Sequence, residues 1–237
     1  MIEGEHYLAV ANNKHNSFIV NSEIYKWNGV SFVSYQIIPT QGAFDWEYFN
    51  INEDSFLVVA NYRSGSGEDY NLNSQIFKWN SINDSFELFQ EIATNGATDW
   101  DFFEIDGDFY LVVANAYSGA SYNIKSRVYK WNVEESEFDQ ILTIDTHGGR
   151  DWEYFTIENN FYLVVANLHN DESPIVESVV YKWDATEEFI NSELSITTSA
   201  AVDWEHFSIG NEHFLAVANA YDGVTHNIGS VIYKILF

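Results

Sequence analysis

A six-residue segment, Tyr7-Leu-Ala-Val-Ala-Asn12, returns four times, as Phe56 to Asn61, Tyr110 to Asn115, Tyr162 to Asn167 and Phe214 to Asn219. The closing asparagines recur at intervals of 49, 54, 52 and 52 residues, so the chain is built on a repeat of about fifty residues. A second motif, Tyr25-Lys26-Trp27, recurs as Phe77-Lys78-Trp79, Tyr129-Lys130-Trp131, Tyr181-Lys182-Trp183 and, shortened, Tyr233-Lys234. A third, Asp45-Trp46-Glu47, recurs as Asp99-Trp100-Asp101, Asp151-Trp152-Glu153 and Asp203-Trp204-Glu205. These two motifs take up all eight tryptophans of the chain. A chain written this way folds by stacking like units against one another.

Each unit reads as four short strands, a to d, rich in aromatic and β-branched residues and punctuated by Asn, Gly, Ser and Asp. Asp151 to Ile157 exemplifies strand a, Phe161 to Ala166 strand b, Ser178 to Trp183 strand c and Phe86 to Ile92 strand d. Strand b is apolar on both faces, which predicts cover on both sides rather than a sheet with one wet face. Four-stranded antiparallel sheets repeated at this period and buried on both faces are what radially arranged blades require. The predicted fold is therefore all-β, a β-propeller. A β-solenoid, the competing architecture, repeats every 20 to 30 residues or so.

The ends are incomplete. Ile2-Glu3-Gly4 matches only the tail of strand a, and the chain stops after strand c at Phe237, giving four a, five b, five c and four d strands. This predicts a single domain over 1–237 with repeats near 1–44, 45–98, 99–150, 151–202 and 203–237, closed as five blades with incomplete terminal blades. A piece of a longer propeller, or a ring completed by a partner chain, are the alternatives. Unpaired terminal edges make a homo-oligomer a further expectation.

Composition bounds the partners. With 10 Lys and Arg against 36 Asp and Glu the formal charge is −26. Such a surface repels nucleic-acid phosphates and anionic membranes. At 46% hydrophobic and 17% aromatic residues the acidity belongs to a folded surface and not to a disordered tail. There is no cysteine, hence no disulfide, thiolate metal site or cysteine nucleophile. No apolar run is long enough to span a bilayer, and Met1 to Glu5 does not resemble a secretory signal.

Several motifs co-occurring in every repeat resemble those of the epilepsy-associated repeat, or EPTP, family, found in the leucine-rich glioma-inactivated proteins. They are Gly96-Ala97-Thr98-Asp99-Trp100, Phe103-Glu104-Ile105, the Tyr-Leu-Val-Val-Ala-Asn strand and the Ser-x-Ile-Tyr-Lys-Trp strand. The resemblance covers essentially the whole chain. It implies a propeller acting as an extracellular or cell-surface recognition module, without enzymatic activity. The chain departs from it in number, since the best-known members carry seven repeats.

If strand a is innermost and strands alternate in direction, the b-to-c loops and d-to-a crossovers share one side. That side gathers the loops Asn12 to Asn21, Asn61 to Asn73, Asn115 to Lys125, Asn167 to Glu177 and Asn219 to Gly229, together with the Asp-Trp entrances to strand a. Loops on a rigid scaffold commonly carry recognition. The candidate ligand-binding residues are Asn61, Tyr62, Asn115, Tyr117, Asn167, His169, Asn219, Tyr221 and Arg150. Arg150 stands where other repeats have Phe44, Thr98 and Val202, and suits an anion, a partner's carboxylate or an internal salt bridge.

Asp45, Asp99, Asp151 and Asp203 are candidate metal ligands. As hard oxygen donors near the channel mouth they suit Ca²⁺, an expectation strengthened by the resembling family. The alternative is structural: each caps its crossover turn through backbone N–H groups or pairs with a neighbouring blade. The five strand-c lysines, evenly spaced, read as a repeated structural ion pair or a snorkelling stem rather than a binding patch. Paired carboxylates also suggest glycoside hydrolysis, but a pair repeated four times is not a unique catalytic site. The seven histidines contain no His-x-x-x-His pair and follow no repeat, which assigns them to surface and loops.

Two functions from different classes follow. One is a recognition module for a protein partner. The other is a multivalent lectin with one shallow sugar site per blade. Near-equivalent loops would favour the lectin, divergent loops the protein patch.

Overall fold

The computed structural model describes residues 1–184 and 189–236. Eighteen β-strands run in chain order, with no helix among the described residues. They fall into five antiparallel sheets, each of consecutive strands: β1–β3, β4–β7, β8–β11, β12–β15 and β16–β18. The first sheet comprises β1 (Tyr7–Val10), β2 (Ile19–Trp27) and β3 (Phe32–Gln41). The second comprises β4 (Ala43–Ile51), β5 (Asp54–Asn61), β6 (Asn71–Asn80) and β7 (Ser85–Asn95). The third comprises β8 (Ala97–Ile105), β9 (Asp108–Asn115), β10 (Asn123–Asn132) and β11 (Glu137–His147). The fourth comprises β12 (Gly149–Ile157), β13 (Asn160–Asn167), β14 (Ile175–Asp184) and β15 (Phe189–Ser199). The last comprises β16 (Ala201–Ile209), β17 (Glu212–Asn219) and β18 (Val231–Ile235). The count of each strand type is the one the repeats predict, and the fold is of the β-propeller class.

Compactness divides the chain inside β8, into Met1–Trp100 and Asp101–Phe237. In the first unit Ile24, Leu57, Val59, Phe77 and Trp79 form one core cluster. In the second, Phe103, Tyr110, Val112, Trp152, Leu163 and Trp183 pack between the third and fourth sheets. Tyr162, Val164, Trp204 and Val217 do the same between the fourth and fifth. The second-strand position of the sheet is where burial on both faces is greatest. Val58, Val59, Ala60, Leu111, Val112, Val113, Ala114, Val164, Val165 and Ala166 are wholly buried. In the terminal sheets β1 and β17 are only partly covered.

The strand-a tryptophans are blade-packing residues. Trp100, Trp152 and Trp204 are buried. The indole N–H groups of Trp152 and Trp204 reach back to the carbonyls of Val113 and Val165 on the preceding sheet, each at 3.2 Å. The strand-c lysines pair with the acid that opens strand b. Lys78 meets Asp54 at 2.7 Å, Lys130 meets Asp108 at 3.0 Å, Lys26 meets Glu5 at 3.8 Å and Lys234 meets Glu212. In the fourth sheet the corresponding position is Asn160.

The d-to-a crossover is set by one backbone angle. Gly42, Gly96 and Gly148 have φ of 56°, 54° and 61°, and Ala200 takes the same left-handed conformation at 47°. Each donates its N–H to a loop carbonyl at 2.6 Å, respectively Phe18, Tyr70, Tyr122 and Pro174. This bond seats the b-to-c loop on the crossover. Immediately afterwards a one-residue bulge shifts the register past Phe44, Arg150 and Val202. Bulges re-aim side chains, and this one falls where the repeats diverge.

Candidate functional site

The repeated asparagines close a buried hydrogen-bond chain. Asn61, Asn115 and Asn167 are at most 1% exposed. Asn61 donates its Nδ2 to the Asn73 carbonyl at 2.9 Å, and Asn115 and Asn167 do the same to Lys125 and Glu177 at 2.9 and 2.7 Å. The Oδ1 atoms of Asn61 and Asn167 accept the N–H groups of Gln41 and His147, each at 2.9 Å. Asn219, half-buried, repeats both bonds with Gly229 and Ser199. The asparagine N–H in turn donates to a buried serine, as Asn61 does to Ser74 at 3.3 Å. Thr94 donates to the Leu72 carbonyl at 3.1 Å, so the single Ser74 hydroxyl proton goes to Thr94 Oγ1, at 3.0 Å. Ser126–Thr146 and Ser178–Thr198 repeat the arrangement. The structure thus places Asn61, Asn115 and Asn167, named above as candidate ligand-binding residues, with their amide groups bonded to the chain's own backbone. A residue type that suits a sugar hydroxyl also suits the carbonyls that a blade must satisfy.

The acidic entrances also have structural work. Asp151 Oδ2 accepts the Trp204 N–H at 2.8 Å, and Glu153 Oε1 accepts the His206 N–H at 2.9 Å. Asp101 accepts the Tyr154 N–H at 2.7 Å. Carboxylates of one strand a thus bind the backbone of the next. Burial pushes Asp45 up, against the backbone N–H groups of Trp46 and Trp100, which bond to it and stabilise its charge. Burial raises Asp203 as well. It pushes Glu153 to about 7, with the Glu205 and Asp203 charges adding to the shift. Asp99, the fourth candidate, is half-buried on β8. Among the described residues there is no group of three or more His, Asp or Glu side chains placed to hold a metal ion.

Aromatic rings cluster among the b-to-c loops. Within Met1–Trp100, Tyr62 meets Phe44 and Tyr70 edge-on at 5.2 and 5.3 Å. The Arg63 guanidinium lies 3.8 Å above the Phe18 ring and donates to the Tyr70 hydroxyl at 3.1 Å. Within Asp101–Phe237, Tyr117, Tyr122 and His169 form a run of three half-buried rings with centroids 4.5 and 5.0 Å apart. Asp171 fixes the two loops that carry them. It accepts from Ser121 Oγ at 2.5 Å, the Tyr122 N–H at 2.7 Å and Asn123 Nδ2 at 2.9 Å, which together hold its carboxyl below the usual range. His169 Nδ1 accepts the Asp171 N–H at 2.9 Å. Tyr221 instead stacks on His226 in its own loop, at 4.5 Å. Arg150 is half-buried at the bulge of β12.

Sequence reasoning missed Asp171 and Arg63, which depend on how neighbouring loops meet. It also assigned all the histidines to surface and loops, whereas His206 and His213 lie half-buried on β16 and β17 with ring nitrogens 3.1 Å apart. Their spacing across the Gly210 turn was the signal.

Comparison with known proteins agrees with this construction. The EPTP domain model matches residues 31–80, 85–132, 137–184 and 195–236. The chain is a member of the EPTP domain family. Each matched unit runs d-a-b-c, so the family's sequence unit is offset by one strand from the sheet. The chain is 40% identical to the mouse thrombospondin-type laminin G domain and EAR repeat-containing protein, over 96% of its own length and 42% of the relative's. It is 24% identical to human leucine-rich glioma-inactivated protein 1, over 98% of its length and 38% of that protein. It therefore spans about two fifths of these relatives. Among solved structures, the periplasmic gluconolactonase of Pseudomonas aeruginosa superposes with a TM-score of 0.61 at 13% identity, over 98% of this chain and 67% of that one. This likeness concerns the fold alone. No helix of the described residues is long and apolar enough to cross a membrane.

Proposed function

We propose that this EPTP domain is a non-enzymatic recognition module of an extracellular or cell-surface protein, and that it binds a protein partner through the loop side. The observation that carries the reading is the Tyr117–Tyr122–His169 run held by Asp171. Aromatic rings supply contact area, and loops fixed before binding lose little entropy on association. The loops also differ from blade to blade. One is built on Arg63 over Phe18, a pair is tied by Asp171, and another folds back on itself through Tyr221 and His226. Equivalent sugar sites would need equivalent loops, so the divergence favours a protein patch over a multivalent lectin. The repeated carboxylates bond to backbone N–H groups of neighbouring strands, a structural use that supports the non-enzymatic reading.

The test is binding of the labelled domain to a panel of animal cell lines treated either with protease or with glycosidases. Loss after protease and retention after glycosidases supports the proposal. The converse would assign the loop side to glycans.

A further inference from the structure

His206 and His213 break the repeat at a place where no other sheet carries a potential ligand pair. The corresponding residues are Tyr48 and Ser55, joined by a 3.1 Å hydrogen bond, then Phe102 and Phe109, stacked 6.1 Å apart, then Tyr154 and Phe161, stacked 6.5 Å apart. In the fifth sheet both positions are imidazoles. In the β16–β17 ladder His206 faces Leu215 and His213 faces Ser208, so the two histidines are diagonal neighbours on one face. Their rings lie 5.3 Å apart at 15°, and Nε2 of His206 is 3.1 Å from Nδ1 of His213.

Two neutral imidazoles at that distance share one proton between two lone pairs. With Zn–N bonds of about 2.0–2.1 Å, two nitrogen ligands of one tetrahedral ion stand about 3.3 Å apart, so a metal can replace the shared proton with a small ring rotation. His206 is already held in place. Its backbone N–H is bonded to Glu153, and its ring stacks on Phe155 at 4.8 Å and 15°. His213 opens onto a surface cleft that it lines with Glu158 and Glu212. Glu212 is paired with Lys234, whereas Glu158 makes no ion pair among the described residues. No third His, Asp or Glu among the described residues is placed to complete the set, so the cleft leaves the remaining coordination positions to water. The surplus of negative charge on the chain raises the local concentration of cations.

We propose that His206 and His213 form a two-imidazole site for a divalent transition-metal ion, Cu²⁺ before Ni²⁺ or Zn²⁺ in affinity, on the side of the fifth sheet carrying the β16–β17 turn. Imidazole nitrogen suits these ions, and the order of affinity is the general one for nitrogen ligands. The site lies at the opposite end of β16 and β17 from the b-to-c loop, so it is independent of the recognition reading.

The test uses the full chain, free of any histidine tag and dialysed against chelator. Cu²⁺, Ni²⁺ and Zn²⁺ are titrated calorimetrically, and the Cu²⁺ complex is examined by electron paramagnetic resonance. The double variant His206→Phe/His213→Phe recreates the Phe102–Phe109 pair of the third sheet and so keeps a packing the fold already uses. The expected result is one Cu²⁺ per chain with a two-nitrogen signature. The double variant should lose that signature, and either single variant should weaken binding by about tenfold or more. Absence of stoichiometric binding, or binding that persists unchanged in the correctly folded double variant, overturns the proposal.

Discussion

Gly148 and Ala200 adopt the same left-handed backbone at the same crossover, yet a Cβ costs different amounts at each. At Gly148 an added Cβ would lie 2.9 Å from Cδ1 of Tyr122 and 3.3 Å from the Ala116 carbonyl. The left-handed conformation costs an L-residue about 1–2 kcal/mol. Displacing Tyr122 adds about 1–2 kcal/mol, as overpacking does, and reduced freedom of the unfolded chain returns about 0.4–1 kcal/mol. Gly148→Ala should therefore destabilise the domain by about 2–3 kcal/mol, and the thermal midpoint should fall by about 5–10 °C. At Gly42 the obstacle is the Arg63 carbonyl, 2.7 Å away, which as backbone cannot swing aside, so Gly42→Ala should cost more. Ala200→Gly gains the relief of the left-handed strain but loses a buried methyl and adds unfolded-state freedom, and should stay within about 1 kcal/mol of neutral. Differential scanning calorimetry of the three variants gives the ranking. A fall of less than 2 °C or so for Gly148→Ala would refute the crossover argument.

Other predictions concern the polar network and the acidic strand. Asn167→Ala removes partners from the part-buried Glu177 carbonyl and His147 N–H and should cost about 1–3 kcal/mol in urea denaturation. Glu153, raised to about 7 by burial, binds more protons folded than unfolded, so it favours folding below pH 4.5 or so and loses that contribution as pH rises towards 7. Glu153→Gln should accordingly raise the thermal midpoint at pH 8 and leave it nearly unchanged at pH 4, and equal shifts at both would contradict the assignment. Asp171→Ala should leave the core intact while speeding amide hydrogen exchange at 117–123 and 169–173, because it removes the bonds that tie the two loops.

Much of the fold was legible because its period is written in residue types. The Tyr-Leu-Val-Val-Ala-Asn and Tyr-Lys-Trp types of motif each mark one strand of every sheet, and the Asp-Trp motif marks the first strand of the last four. The lysine spacing likewise indicated a repeated structural role, which the structure resolves as pairs with Asp54, Asp108 and their equivalents. The role of Asn61, Asn115 and Asn167 was not legible, because an asparagine closing a strand looks the same whether it turns outward to a loop or inward to Ser74 and Thr94. Asp171 became significant only when two loops fifty residues apart met. His206 and His213 were not legible from a His-x-x-x-His spacing, because a hairpin brings together directly paired and diagonal residues across its turn, here seven apart in sequence.

The central claim is that the loop side of Asp101–Phe237 recognises a protein. It is tested most directly by measuring cell-surface binding of Tyr117→Ala/His169→Ala beside a control, Asn211→Ala, at the opposite end of the same sheets. The account predicts at least about tenfold weaker binding for the double variant, as for loss of an interface anchor, with its thermal midpoint unchanged and the control at full affinity. Undiminished binding by the folded double variant would contradict it.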